Sequence, residues 1–343
     1  MVHHYRLYGL NFQSNRELTL LPARPAEPPD LLVHWCDDRA DSPDARLPWN
    51  QILTHELRQR RGIELFHAET DQGRFRKLRY QTAKAHVDFL LSPSRQQLWI
   101  LYSPDDSAMD LESYFVGPGL GCILRWCGTV CLHASVVRID DQAIAVVGKK
   151  KAGKSTTAAG LGQLGALIMS DDMAVLTPVD QSFLVHPGYP QVRLWPASIA
   201  AIFPDAGTLP KVFSHRDKRY LPLKDAQALN DDSWSRPATL SAVYVLDRTD
   251  SNARAPYVDD LNPQNRLMTL VANTFGSYVV TDDLRRKEFQ VLARLSNTIR
   301  LRRVVFGDDL KLLPAQSQAI LDDFRGQPTP TETRGFDLPA GAF

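Results

Sequence analysis

Apolar residues set the rhythm of the chain, and the rhythm changes partway along it. Up to about Ser113 they are interrupted by charge and proline. Within that stretch Gln97–Ser103 (QLWILYS) alternates as a half-buried strand does. The longer run HVDFLLSPSRQQLWILYSP predicts a hairpin turning about Ser92–Gln96. LPWNQILTHELRQRRGIELFHAE spaces its apolar residues at helical intervals and predicts a helix, whereas LLPARPAEPPDLL is a proline-rich surface connection. MDLESYFVGPGLGCILRWCG (Met109–Gly128) predicts one helix around a glycine cluster. That cluster neither follows a strand nor opens a helix, as a dinucleotide fingerprint would.

Beyond Gly128 the pattern is cleaner. Thr129–Arg138 and Gln142–Val147 flank a polar Ile-Asp-Asp and predict a hairpin that feeds a strand into Gly148. STTAAGLGQLG predicts a helix ending near Gly162–Gly165. ALIMSDDMAVLTP predicts a strand, an acidic turn and a second strand, and ASIAAIF a helix. Leu240–Arg248 reads as a buried strand, and Asn265 to Phe324 is helical in period. A mixed α/β fold follows: an accessory α+β domain over residues 1–113, a catalytic domain on a mixed β-sheet over 114–326, and a polar flexible tail over 327–343.

Composition narrows the classes. At 43% hydrophobic and 23% charged the chain is a globular one. A net charge of +1, without aromatic platforms among the basic clusters, excludes a nucleic-acid footprint. No apolar run approaches the roughly 18–20 residues that span a bilayer, and the polar start MVHHYRLYGLNFQSN is no secretory signal. The expectation is a cytoplasmic protein with no nucleic-acid or membrane partner. Cys122, Cys127 and Cys131 are spaced by five and four, outside the pairing of zinc sites, and read as buried thiols.

Chemistry concentrates at Gly148-Lys149-Lys150-Lys151-Ala152-Gly153-Lys154-Ser155, which meets G-x-x-x-x-G-K-[ST] at every fixed position. Backbone N–H groups must point inward around a phosphate, which demands glycine where other residues are sterically excluded. Lys154 would neutralise β- and γ-phosphate oxygens and Ser155 would ligate Mg²⁺. Thr156 opens a helix whose partially positive N-terminus faces the same anion. The preceding strand AIAVV and the following helix form the context that a phosphate loop requires. The expected ligands are ATP or another NTP, with Mg²⁺. About sixteen residues past Lys154 come Asp171 and Asp172, at a strand-end turn. There two adjacent carboxylates can divide the work, one towards an acceptor hydroxyl and one towards the metal.

His133, the phosphate loop and Ser-Asp-Asp before an apolar strand together resemble the catalytic domain of HPr kinase/phosphorylase, over roughly Cys127 to Phe203. That resemblance implies a P-loop on a mixed sheet related to phosphoenolpyruvate carboxykinase, and phosphoryl transfer to serine. LHAS, GKKKAGKSTTAA, SDDM and PGYPQVRLWP further resemble the HPr-kinase-like enzymes found with lasso-peptide and other ribosomal-peptide biosynthesis, which phosphorylate a serine of a precursor peptide. On this resemblance Asp171 is the general base, Asp172 supports Mg²⁺ or the γ-phosphate, His133 assists, and Lys154 and Ser155 keep their loop roles. The family's hexamers imply self-association. One position departs: Gln191 stands where the family's metal-holding glutamate would be, two residues before Arg193. The neutral Gln weakens or moves a second metal contact, and the later loop that phosphorolysis needs in the family has no match here, so phosphorolysis is not expected.

Arg193 is suited to contact a phosphate, and Lys218 and Arg219 in HRDKRYL to hold the transferring group or a substrate carboxylate. The reading is an NTP- and Mg²⁺-dependent kinase acting on a serine hydroxyl of a peptide or small protein. The alternatives are a nucleotide-binding scaffold without catalysis and a kinase for a small-molecule hydroxyl.

Overall fold

The computed structural model describes residues 1–326 except 61, 83, 215, 224–235 and 250–254; the tail expected over 327–343 and His215 lie outside the described residues. The fold is mixed α/β, and the chain divides into two compact units. Unit 1 comprises Met1–Cys127 with Val212–Arg216 and Gly276–Val280; unit 2 comprises the remainder.

Unit 1 is built on an eight-stranded sheet. Its strands are β1 (His3–Leu7), β2 (Leu10–Ser14), β3 (Leu31–Cys36), β4 (Asn50–Ile52), β5 (Ile63–Thr70), β6 (Gly73–Gln81), β7 (His86–Leu91) and β8 (Gln97–Leu101), in the order β1-β2-β3-β8-β7-β6-β5-β4. The hairpin expected about Ser92–Gln96 is present as β7 and β8. The helix expected from LPWNQILTHELRQRRGIELFHAE is not. Among its described residues only His55–Arg58 is helical, and β4 and β5 flank it. The charged strand β6 is stabilised by partners from distant sequence. Lys77, 5% exposed, reaches Asp44 at 2.9 Å and lies over the Trp49 ring, and Arg79 grips Asp88 at 2.7 and 2.8 Å.

The sequence reading closes this unit near residue 113; the structure carries it on to Cys127. The helical stretch Ala108–Trp126 packs on the first sheet, with Phe115 against Phe12 and Trp35 and Tyr114 stacked on Tyr80. The glycine cluster serves that packing, since a Cβ on Gly119 would stand 2.8 Å from the Phe89 ring. Cys122 is buried here, with Tyr80 and Tyr278 hydroxyls 3.5 and 3.4 Å from its sulfur.

Unit 2 holds a nine-stranded sheet. β9 (Val130–Leu132), β10 (Ser135–Ile139), β11 (Gln142–Val147), β12 (Leu167–Ser170), β13 (Ala174–Val179), β14 (Ser182–His186) and β17 (Ala238–Thr249) run in the order β12-β10-β11-β17-β14-β13-β9. β19 (Arg300–Gly307) also pairs with β17 and carries β18 (Tyr257–Asp260); β15 (Gln191–Leu194) and β16 (Arg219–Pro222) form a separate ribbon. β11 lies between antiparallel β10 and parallel β17.

Both faces of β11 are covered, which is why it reads as a continuous apolar run. Ile144 and Val146 pack with Ala158, Ala159 and Leu161 of the helix Lys154–Gln163. Ala143, Ala145 and Val147 pack with Leu270, Leu292 and Leu295 from the helices Arg266–Ala272 and Asp282–Thr298. Sheet and helices thus grip β11 from both sides and fix where its C-terminal end, the glycine loop, is presented.

Candidate phosphate-binding and transfer site

Gly148 follows β11 directly, with φ 153°, and a Cβ there would meet Leu246 Cβ at 3.1 Å and Ala152 Cβ at 3.2 Å. Gly153 has φ 99° with open space around it, so its requirement is conformational rather than steric. Lys151 is also left-handed, at φ 68°. Gly153 caps the helix Lys154–Gln163 without offering a side-chain acceptor. The first N–H groups of that ten-residue helix are therefore directed at the hollow of the loop.

Lys154 is 8% exposed and its Nζ donates to the carbonyls of Gly148 at 3.0 Å and Lys149 at 3.5 Å. Burial lowers its pKa, against the opposing pull of Asp172 and Asp171. Ser155 is half-buried at the start of the helix, and Thr156 Oγ1 meets Ser198 Oγ at 3.0 Å. Glycine-shaped room, a buried ammonium, a serine hydroxyl and an uncapped helix start together fit a nucleotide's phosphates and a divalent cation.

The acidic pair follows β12, and its two members are placed differently. Asp171 is 1% exposed: Oδ1 accepts the Ser135 hydroxyl at 2.7 Å and Oδ2 accepts the Arg193 main-chain N–H at 2.9 Å. Asp172 takes a left-handed φ of 70°, which turns its side chain away from its neighbour's, and keeps 24% side-chain exposure. Its carboxylate pairs with Arg193 Nη1 at 2.8 Å. Burial alone would push the Asp172 carboxyl up. The charges of Arg193, Lys218, His133 and Lys154 outweigh that and hold it at about 2.

Arg193 is 6% exposed, and its guanidinium lies 5.0 Å from the Tyr189 ring centroid and 5.7 Å from that of Tyr220. Its Nε and Nη2 are buried without hydrogen-bond partners among the described residues, as is Gln191 Oε1. His133 lies just after β9, with its ring 6.1 Å from Phe275; burial, and then Lys154, lowers its pKa and keeps the imidazole neutral.

Lys218 lies 5.9 Å over the Trp195 ring, and its charge acts on Asp172, His133 and Lys154. Arg219, at the start of β16, instead donates to the Leu209 carbonyl at 3.3 Å. The structure thus gathers His133, Lys154, Asp171, Asp172, Arg193 and Lys218, and leaves Arg219 outside the group. Lys149, Lys150 and Lys151 lie in the loop, and all three are exposed.

Sequence reasoning missed Ser135 and Asn273. Ser135 is legible only as the serine after His-Ala, and its role depends on a contact across 36 residues. Asn273 Oδ1 accepts the Gly148 N–H at 3.0 Å across 125 residues, and no motif announces it.

No protein-family model and no curated protein matches this chain. Among solved structures, the Hpr(Ser) kinase/phosphatase from Coxiella burnetii is similar at a TM-score of 0.32 and 9% identity, over 57% of this chain and 97% of that one. No described helix is long and apolar enough to cross a membrane.

Proposed function

We propose that this protein is a kinase that transfers the γ-phosphoryl group of a nucleoside triphosphate to a serine hydroxyl of a peptide or small protein, with the precursor of a ribosomal peptide as the substrate class. The observation that carries the reading is the convergence of a phosphate loop, between a buried strand and an uncapped helix, with a carboxylate held by two fixed hydrogen bonds. A binding loop alone would suit a hydrolase or a switch. A fixed carboxylate beside it supplies what transfer to a hydroxyl needs.

In this reading the loop N–H groups and Lys154 hold the β- and γ-phosphates. Mg²⁺, held by Ser155 and Asp172, would neutralise charge on the phosphate oxygens. The serine oxygen forms a bond to the γ-phosphorus, the bond from that phosphorus to the β–γ bridging oxygen breaks, and the nucleoside diphosphate leaves. The serine proton passes to Asp171. Each Asp171 oxygen has a further lone pair beyond the one already used, so its two structural bonds leave acceptor capacity. Those bonds hold the carboxylate in place. Neutral His133 offers a hydrogen bond without adding charge, and Lys218 supplies a cation for the transferring group.

The test is intact-mass spectrometry after incubation with MgATP and three acceptors: peptides ending in serine, matched peptides with internal serine, and an HPr-like carrier protein. A gain of one phosphate, lost in Asp171→Asn while MgATP still binds, supports the reading. Phosphorylation at the normal rate by Asp171→Asn removes the base assignment. MgATP bound with no adduct on any acceptor favours the scaffold reading, for which the neutral Gln191 speaks.

A further inference from the structure

The segment after the helix Arg266–Ala272 has no place in the motif, yet it is fastened to two parts of the site. Asn273 ends that helix, and its own N–H bonds back to the Leu270 carbonyl at 3.1 Å. Both polar atoms of its side chain are engaged. Oδ1 accepts the Gly148 N–H at 3.0 Å, and Nδ2 donates to the Thr269 carbonyl at 2.8 Å. Its main-chain carbonyl accepts the His133 N–H at 2.7 Å. The next residues continue the attachment: Thr274 bridges to Leu132, and the Phe275 N–H donates to the Cys131 carbonyl at 2.8 Å. Three residues thus run beside β9 like a short extra strand, and the first of them reaches sideways to the glycine loop.

Gly148 is where the loop leaves β11, so its peptide orientation sets the direction of every N–H that follows. Its φ of 153° is open to few residues, and a glycine in such a position has neighbouring conformations within easy reach. A hydrogen bond from outside the loop selects one of them. Asparagine suits this because it is both acceptor and donor: the donor anchors the amide on the helix end, and the acceptor is thereby aimed. Ala could do neither, and Ser would have to donate and accept through one atom on a shorter side chain.

We propose that Asn273 is a positioning residue of the nucleotide site, a clamp that holds the first residue of the glycine loop and the His133 strand in one register. This rests on the reading of Gly148–Ser155 as a phosphate loop. The clamp acts on the loop's geometry and touches no reacting atom.

Three measurements test it: the exchange rate of the Gly148 amide by NMR, the affinity for MgATP by calorimetry, and the thermal midpoint. In Asn273→Ala the Gly148 amide exchanges faster and MgATP binds roughly tenfold more weakly, in line with the loss of a positioned hydrogen bond. The thermal midpoint moves by only a few degrees. Asn273→Asp keeps an acceptor but loses the amide donor that aims it, and so retains only part of the Gly148 protection, still more than the alanine variant keeps. A lowered midpoint with MgATP affinity and Gly148 exchange unchanged would make Asn273 a helix cap only and overturn the proposal. Equal loss of Gly148 protection in both variants would also overturn it. Failure of the underlying reading looks different: wild-type protein would bind no MgATP, or Lys154→Ala would bind it as well as wild type.

Discussion

Replacing Arg193 by methionine removes the side chain that, among the described residues, pairs directly with Asp172, while leaving the main-chain N–H that holds Asp171. Methionine is long and flexible enough to fill the space beside Tyr189 and Tyr220, so the change is chiefly one of charge. In the native protein the Asp172 carboxyl lies at about 2 instead of 3.8. A depressed carboxylate pKa contributes stability that is fully present above the unfolded value, near pH 4, and is lost as pH falls through 2. At about 1.4 kcal/mol per unit, that contribution is about 2 kcal/mol. Without Arg193 the opposing effect of burial is less well offset, and the carboxyl moves up from that value.

The variant therefore loses the pairing and also keeps a poorly compensated carboxylate, about 3–5 kcal/mol in all at pH 8. A carboxyl so raised takes up its proton sooner on acidification, and the deficit is smaller at pH 5 than at pH 8. Wild-type Asp172 is ionised at both pH values, so the difference belongs to the variant alone. Calorimetric thermal midpoints at pH 8 and pH 5 read this directly, with roughly 2–4 °C for each kcal/mol in a unit of this size. A midpoint lowered equally at both pH values would refute the electrostatic account of Arg193, and an unchanged midpoint would refute its structural role as well.

Two further substitutions probe the supports of the site. Gly160→Ala should gain about 1 kcal/mol of helix propensity, but its Cβ would stand 2.4 Å from Ser317 Oγ and 3.1 Å from Leu313 Cγ, so a net loss of about 1–2 kcal/mol is expected. Adding Ser317→Ala should restore most of it, whereas a raised midpoint in the single variant would mean that the helices part easily. Ser135→Ala frees Asp171 Oδ1, and phosphoryl transfer at saturating MgATP should fall roughly tenfold with nucleotide affinity unchanged. Affinity falling in step would assign Ser135 to the loop instead, and Ser135→Thr should recover part of the rate.

Where local pattern and tertiary packing agree, the sequence was readable. AIAVV is a strand because both faces are buried, and its six-residue extent, Gln142–Val147, is the one its apolar run indicates. The strand–turn–strand of Leu167–Val179 and the late helices follow equally from periodicity. LPWNQILTHELRQRRGIELFHAE misled because its helical spacing competes with cross-strand pairing to β6, which no local rule displays. The expected strand Thr129–Arg138 is interrupted at His133–Ala134, where β9 ends and β10 begins on different neighbours. Within the site, Lys154, Ser155 and the acidic pair were legible because their spacing is local. Ser135 and Asn273 were not, since each acts through one contact with a residue far along the chain.

The parallel pairing of β11 with β17 also bears on how the molecule comes to be folded. Gln142 is in register with Thr239 and Val147 with Val245, so the strand that presents the glycine loop waits for a partner almost a hundred residues downstream. Closing so long a loop costs entropy before any ladder bond repays it, and pairings of this kind form late and slowly. On a growing chain, β10 and β11 can meet as a hairpin at once, but one edge of β11 stays open until Ala238–Thr249 has been made. That edge is apolar and unpaired in the meantime, a template for the wrong strand. The order of synthesis thus leaves the glycine loop among the last parts of the molecule to be fixed, and a truncation before Ala238 would expose the same edge permanently.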